Sequence, residues 1–218
     1  MFSFLYTPKK KKLTYKRVVV LIGGAGYVGR ALLERCRSHV DTLFVIVSRN
    51  ATSVHGNSIG IRGDITHEPE KIVSRILEVT GRIDVVVHLA ATYAFEKSDL
   101  LTRSHMLREF DVNAIAPVLF TQEVKRQYWS TFSSEENMLE KRKVITVGSQ
   151  AGEGRSSREE LITYSATKAA LRVFFDYYSP YLKTLGVTSI FLKPGGLQKE
   201  EALEMFLDEL QAALGVSE

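Results

Sequence analysis

The stretch Arg17-Val-Val-Val-Leu-Ile-Gly-Gly-Ala-Gly-Tyr-Val-Gly-Arg-Ala-Leu-Leu33 decides the fold. A short apolar, β-branched run that stops at glycine spells a buried strand. Val28, Ala31, Leu32 and Cys36 then recur at helical spacing. Between the two, Gly23 permits a tight turn, Gly26 lets backbone approach a pyrophosphate, and Gly29 lets the helix pack closely on the strand. The helix N-terminus offers free N–H groups to such an anion. Strand, glycine turn and helix in this order imply a dinucleotide site built on Gly23, Gly26, Tyr27, Val28 and Gly29. The plainer alternative is a glycine-rich turn at a helix start.

Outward from this stretch, strand and helix patterns alternate. Thr42-Leu-Phe-Val-Ile-Val is a strand ending at Ser48-Arg49-Asn50, and Ser58-Ile-Gly-Ile-Arg is another. Residues 68–80 read as a helix with Ile72, Val73, Ile76 and Leu77 on one face. Ile83-Asp-Val-Val-Val-His-Leu is a strand, followed by a long helical region containing Asp111-Val-Asn-Ala. Lys143-Val-Ile-Thr-Val, a helix over 159–185 and Thr188-Ser-Ile-Phe-Leu complete the series. Such alternation predicts an α/β fold, a single doubly wound parallel sheet with helices on both faces. The polar stretch Gln127 to Lys143 reads as a helix end and surface loop.

With 218 residues, 44% of them apolar, the chain has material for one domain and a sizeable core. The formal charge of +4 belongs to one end: residues 1–17 hold six Lys/Arg and no acid, whereas 18–218 hold 23 basic against 25 acidic residues. The division expected is a basic N-terminal arm, 1–16, and a domain over 17–218. A nucleic-acid-binding body spreads its charge over a face of the domain, so that class is excluded. The arm, aromatic tip and then four lysines, is either a solvated terminus or a weak contact for an anionic membrane surface, each basic residue there being worth about 1 kcal/mol. A single cysteine, Cys36, leaves no intramolecular disulfide and no multi-cysteine metal site; no metal is expected, and a reducing, cytoplasmic setting is.

The end of the second strand is the place for an acid that bonds the ribose hydroxyls of NAD. Here it carries Ser48, Arg49 and Asn50, a hydroxyl beside a guanidinium, which suits a 2′-phosphate and favours NADP(H) over NAD(H). The alternative is a solvated loop arginine.

From here on the sequence resembles the short-chain dehydrogenase/reductase family, over about residues 17–197. Asp64-Ile65 looks like that family's aspartate loop against the adenine, and His88-Leu89-Ala90-Ala91 its cofactor-supporting segment after the fourth strand. Asn113 matches its helix asparagine, Ser149 its serine, Tyr164-Ser-Ala-Thr-Lys168 its Tyr-x-x-x-Lys pair, and Pro194, Gly195 and Gly196 its loop beside the nicotinamide. The resemblance implies a Rossmann-like fold, a Ser-Tyr-Lys(-Asn) catalytic set and a dimer joined through the long helices around Asn113 and Tyr164. By the same resemblance Lys168 bonds the nicotinamide ribose and Asn113 anchors a water in a proton relay.

The chemistry stands without the family. A Tyr and a Lys four apart share one helical face. The lysine charge is expected to lower the phenol towards neutrality, so that Tyr164 protonates a developing alkoxide or, in reverse, takes its proton. Ser149, ending a strand, would bond the substrate oxygen. His88 and Cys36 read as core, and Tyr128 and Trp129 as loop anchors.

Two departures mark the match. The GGAGYVG spacing and His88-Leu-Ala-Ala lean towards the sugar-nucleotide-modifying branch, whereas the Tyr164 to Leu171 stretch suits the simple reductases. After Gly196 only 22 residues remain, with Gln198-Lys199 where relatives often place a threonine, and Leu203, Phe206, Leu207, Leu210 and Leu214 line one side of a helix. An open site, or one completed by another subunit, is the expectation; the alternative has this helix packing on its own domain. The functions implied are an NADP(H)-dependent oxidoreductase interconverting a small-molecule carbonyl and a secondary alcohol, a sugar-nucleotide epimerase or dehydratase, or a non-catalytic NADP(H) sensor or scaffold.

Overall fold

The β-branched runs pair into one parallel sheet. The computed structural model describes residues 15–51, 56–94, 97–154 and 158–216; most of the basic arm, and with it the suggested membrane contact, lies outside the described residues. Six strands, β1 (Arg17–Ile22), β2 (Thr42–Ser48), β3 (Ser58–Arg62), β4 (Val85–His88), β5 (Lys143–Val147) and β6 (Thr188–Leu192), lie in the order β3-β2-β1-β4-β5-β6. All neighbours run parallel. The strand order reverses between β1 and β4, which opens a crevice at their carboxyl ends.

Alternation along the strands sends side chains to two cores. Val18, Val20, Ile22, Val45, Val86 and Val144 face α2 (Pro69–Thr80), α4 (Ala116–Gln127) and α6 (Ile162–Thr184). Val19, Leu21, Phe44, Val85, Ile145 and Val147 face α1 (Tyr27–Arg35) and α7 (Glu200–Leu214). The five apolar residues read as one side of the C-terminal helix are all buried in this second core. Arg35 of α1 clasps the same helix, bonding Glu204, Asp208 at 2.5 Å and Gln211 at 3.0 Å. α7 therefore packs on its own sheet, the alternative to a site left open or completed by another subunit. Coverage thins at β3, whose Gly60 and Arg62 are exposed, because the β2–β3 connection carries no helix among the described residues.

The long helical region is two helices joined by a π turn: α3 (Arg103–Phe110), then residues Asp111–Ile115, then α4. The Ala116 N–H reaches back to the Asp111 carbonyl, the five-residue step of a π turn. Within the stretch read as loop, a short helix α5 (Ser134–Leu139) starts on a reciprocal Ser133–Glu136 capping box. Trp129 is fully buried and donates its indole N–H to the Ile83 carbonyl at 2.9 Å, an anchor as expected.

Candidate active site

The crevice begins where β1 ends. Gly23 turns with φ +80°, and a Cβ there would lie 2.7 Å from the Ala90 backbone, so the turn sits directly on the segment after β4. Gly26 caps α1 with no side-chain hydrogen bond, and the first turn of that helix holds no acid. A Cβ on Gly26 would meet only the Gly23 carbonyl within 4 Å, leaving its open side towards the crevice. Free helical N–H groups, an unblocked approach and no competing carboxylate fit a pyrophosphate.

A cavity of about 800 Å³ extends from this turn. Its floor includes Gly23, Gly26, Tyr27, Val28 and Gly29, and one end is formed by Ser48, Arg49, Asp64 and Ile65. Leu89, Ala90 and Ala91 form the opposite wall. The Asp64 carboxylate accepts from the Thr66 N–H at 3.0 Å and its hydroxyl at 2.7 Å. Burial pushes this carboxyl up, but the Thr66 bonds and the nearby His67 and Arg49 outweigh it and hold it below the usual range. Asn50 is exposed, gives its N–H to the Ser48 hydroxyl at 3.3 Å and does not line the cavity.

A second cavity of about 450 Å³ adjoins the first, sharing Val28, Leu89, Ala91, Tyr93, Leu197 and Gln198. Ser149, Tyr164 and Lys168 open into it, with Pro194, Gly195 and Gly196 along another wall. The loops after β5 and β6 are tied across this cavity by Gln150 N–H to the Pro194 carbonyl, 3.1 Å, and by a Lys193–Glu153 ion pair at 2.6 Å.

The Ser149 hydroxyl accepts from the Ala151 N–H at 3.2 Å and hydrogen-bonds the Tyr164 phenol. Lys168 is buried, bonds the Val147 carbonyl at 2.8 Å and has its Nζ 5.7 Å from the centre of the Tyr164 ring. Burial brings the ammonium down to about 8. The phenol differs from expectation: burial raises it above its ordinary value, Ser149 opposes, and Tyr93 and Glu109 raise it further. Lys168 was expected to lower it, but desolvation wins in this geometry.

Asn113 reaches neither cavity. It lies fully buried in the π turn, where its carboxamide accepts from the Thr92 N–H and donates to the Thr92 carbonyl and the Thr167 hydroxyl. With both donors engaged, its side chain fixes backbone.

Several lining residues escaped sequence reasoning. Thr92 and Tyr93 follow directly on His88-Leu-Ala-Ala at the carboxyl end of β4, a position that could have flagged them. Arg108 and Val112, four apart on the helix leading to Asn113, line the larger cavity; Gln150, Arg158 and Leu161 line the smaller. Among the described residues no cluster of three or more His, Cys, Asp or Glu could hold a metal, and no helix is long and apolar enough to cross a membrane.

Comparison with known proteins agrees with this geometry. A family model described as short chain dehydrogenase matches residues 16–209. A short chain dehydrogenase of Pseudocercospora fijiensis is 24% identical over 204 residues, 84% of this chain, which spans 60% of that relative's length. A solved short-chain dehydrogenase/reductase of Serratia marcescens superposes with a TM-score of 0.74 at 19% identity, over 90% of this chain and 89% of its own. A 3-ketoacyl-(acyl-carrier-protein) reductase of Brucella melitensis, solved with NADH, gives 0.71 at 19% identity, over 84% of this chain and 76% of its own. At these identities the structural likeness establishes the fold, and the family model establishes the rest: the chain belongs to the short-chain dehydrogenase family, whose members use NAD(H) or NADP(H).

Proposed function

We propose that this chain is an NADP(H)-dependent oxidoreductase that interconverts a small carbonyl compound and a secondary alcohol. The observation that carries this reading is the convergence of the Ser149 hydroxyl, the Tyr164 phenol and the Lys168 ammonium on one cavity that shares a wall with the dinucleotide-sized crevice. When bound, the nicotinamide supplies or accepts the hydride. Ser149 holds the substrate oxygen, Tyr164 gives it a proton during reduction or takes one during oxidation, and Lys168 steadies the phenolate by charge. The carbonyl carbon gains a hydride and its oxygen a proton, which together make the alcohol. Asn113 keeps Thr92 and α6 in register around the site.

Arg49 and Ser48, at one end of the larger cavity with no acid on the strand end, support NADP(H). The exposed apolar side chains Leu107, Ile115 and Leu119 on α3–α4 and Val173, Phe174 and Tyr177 on α6 support a homodimer through these helices. Buried, thiol-form Cys36 accords with a cytoplasmic setting.

The test is a panel of aldehydes, ketones and secondary alcohols with NADPH or NADP+. Tyr164→Phe is expected to lower turnover roughly 100-fold or more; undiminished turnover would sink the acid/base assignment. Arg49→Ala is expected to weaken NADPH binding at least tenfold and leave NADH binding unchanged, and equal losses for both would remove the 2′-phosphate argument.

A further inference from the structure

Glu109 is an acid placed where packing alone has no use for one. It sits on α3 just before the π turn and is 4% exposed. Its Oε1 accepts the Ala94 N–H at 2.6 Å, while Oε2 is buried with no hydrogen-bond partner among the described residues. Ala94 follows Tyr93, whose ring meets the Tyr164 ring edge-on with centroids 5.9 Å apart. One carboxyl thus fastens the segment that lays Tyr93 against Tyr164. A neutral amide oxygen would accept the same N–H, so this bond alone does not call for a carboxylate.

The titratable and charged groups around Glu109, among the described residues, come from three elements. His105 is on its own helix, Tyr93 on the segment after β4, and Tyr164 on α6, with Lys168 beside the Tyr164 ring. Burial raises the Glu109 carboxyl, against the Ala94 N–H and His105; the Tyr164 phenol is raised first by its own burial, then by Tyr93, and last by the Glu109 charge.

We propose that Glu109 is a positioning residue of the reaction: through the Ala94 N–H it holds Tyr93 against Tyr164, and its buried carboxylate contributes to how readily Tyr164 exchanges a proton. This rests on Tyr164 as the acid/base, so the decisive measurement is one that needs no turnover. Tyrosinate absorbance of the cofactor-free protein is titrated and that of Tyr164→Phe subtracted, which isolates the Tyr164 phenol. Glu109→Gln keeps an acceptor for Ala94 and removes the charge. The Tyr164 ionisation is expected to move down by about half to one pH unit, and the matching limb of the pH–rate profile to move with it. Glu109→Asp keeps the charge and shortens the reach; ionisation is expected to stay within about a quarter of a unit while kcat falls.

An unmoved Tyr164 ionisation in folded Glu109→Gln overturns the proposal. A downward move of about half a unit in Glu109→Asp also overturns it, since the charge is still present; this arm decides should the Gln variant not fold. Full turnover in Tyr164→Phe would instead strike the proposed function and leave the titration result standing.

Discussion

Asn113 and Thr167 meet through a 3.1 Å hydrogen bond, carboxamide to hydroxyl, where the π turn crosses α6. The Thr167 hydroxyl also donates to the Tyr164 carbonyl at 2.7 Å. Together with its two bonds to Thr92, the carboxamide registers the segment after β4 against the helix that carries Tyr164 and Lys168. Asn113→Ala strands the Thr92 N–H and carbonyl in a half-buried setting. It is expected to cost about 2–4 kcal/mol in urea unfolding and to lower kcat more than it weakens cofactor binding. A variant within about 0.5 kcal/mol of the parent would show that the bonds carry no register.

Gly29 answers a different demand. A Cβ there would lie 2.4 Å from the Gly24 carbonyl oxygen and 2.5 Å from its Cα, both backbone atoms that cannot step aside. Gly29→Ala is expected to lift α1 from the turn and weaken dinucleotide binding at least tenfold. Gly81 makes the comparison: its φ is +72° with nothing within 4 Å, so Gly81→Ala should cost only about 1–2 kcal/mol and spare the cofactor. Titrating cofactor fluorescence in both variants separates steric from conformational need.

His88 gives the fold an acid limit. It is buried against Phe120 and Phe175, with Nε2 2.8 Å from the Thr121 hydroxyl. Burial first, and the Lys168 charge second, bring its imidazolium down to about 3. Below about pH 6.5 the unfolded chain takes up this proton and the folded chain does not, so stability falls as pH drops from there towards 3. The slope is at most about 1.4 kcal/mol per pH unit, about 5 kcal/mol across the window. His88→Asn is expected to flatten denaturation midpoints between pH 7 and 4; parallel curves for the two proteins would refute the assignment.

The α1–α7 contact separates two kinds of force. Leu210 is fully buried, and Leu210→Ala is expected to cost about 2–5 kcal/mol. Arg35 touches three side chains of α7, yet Glu204 and Asp208 are largely exposed, so Arg35→Ala should cost less than about 1 kcal/mol. Thermal unfolding of the two variants ranks them; the reverse order would mean that charge, not apolar burial, docks α7.

The strands were readable because a β-branched run cut off by glycine leaves few alternatives, and the helix read at 68–80 begins at 69 in the structure. α5 was missed because six residues are too few for apolar periodicity, although Ser133 and Glu136 spelled its start. The π turn is invisible in the sequence, since its five-residue step depends on where Asn113 finds Thr92 and Thr167. In the site, Ser48, Arg49, Leu89, Ala90, Ala91 and Ser149 were legible, because the sheet fixes where a strand end points, whereas Asn50 turns away and Thr92 and Tyr93 went unread. Arg108, Arg158 and Leu161 were not legible, because they come from helices and turns that only tertiary packing aims. The direction of the Tyr164 shift was misjudged for a related reason: a charge four residues away is plain in the sequence, and burial is not.

The hydrogen bond that steadies the Lys168 ammonium ends on the Val147 main-chain carbonyl. No substitution at position 147 deletes that acceptor, whereas a carboxylate partner could be lost in a single step. Tyr93, Gln150, Arg158, Leu161 and Gln198, which also line this cavity, differ in that any of them can be exchanged for another side chain. Such a division leaves the walls free to diverge towards new substrates while the proton-handling charge stays anchored to the sheet itself.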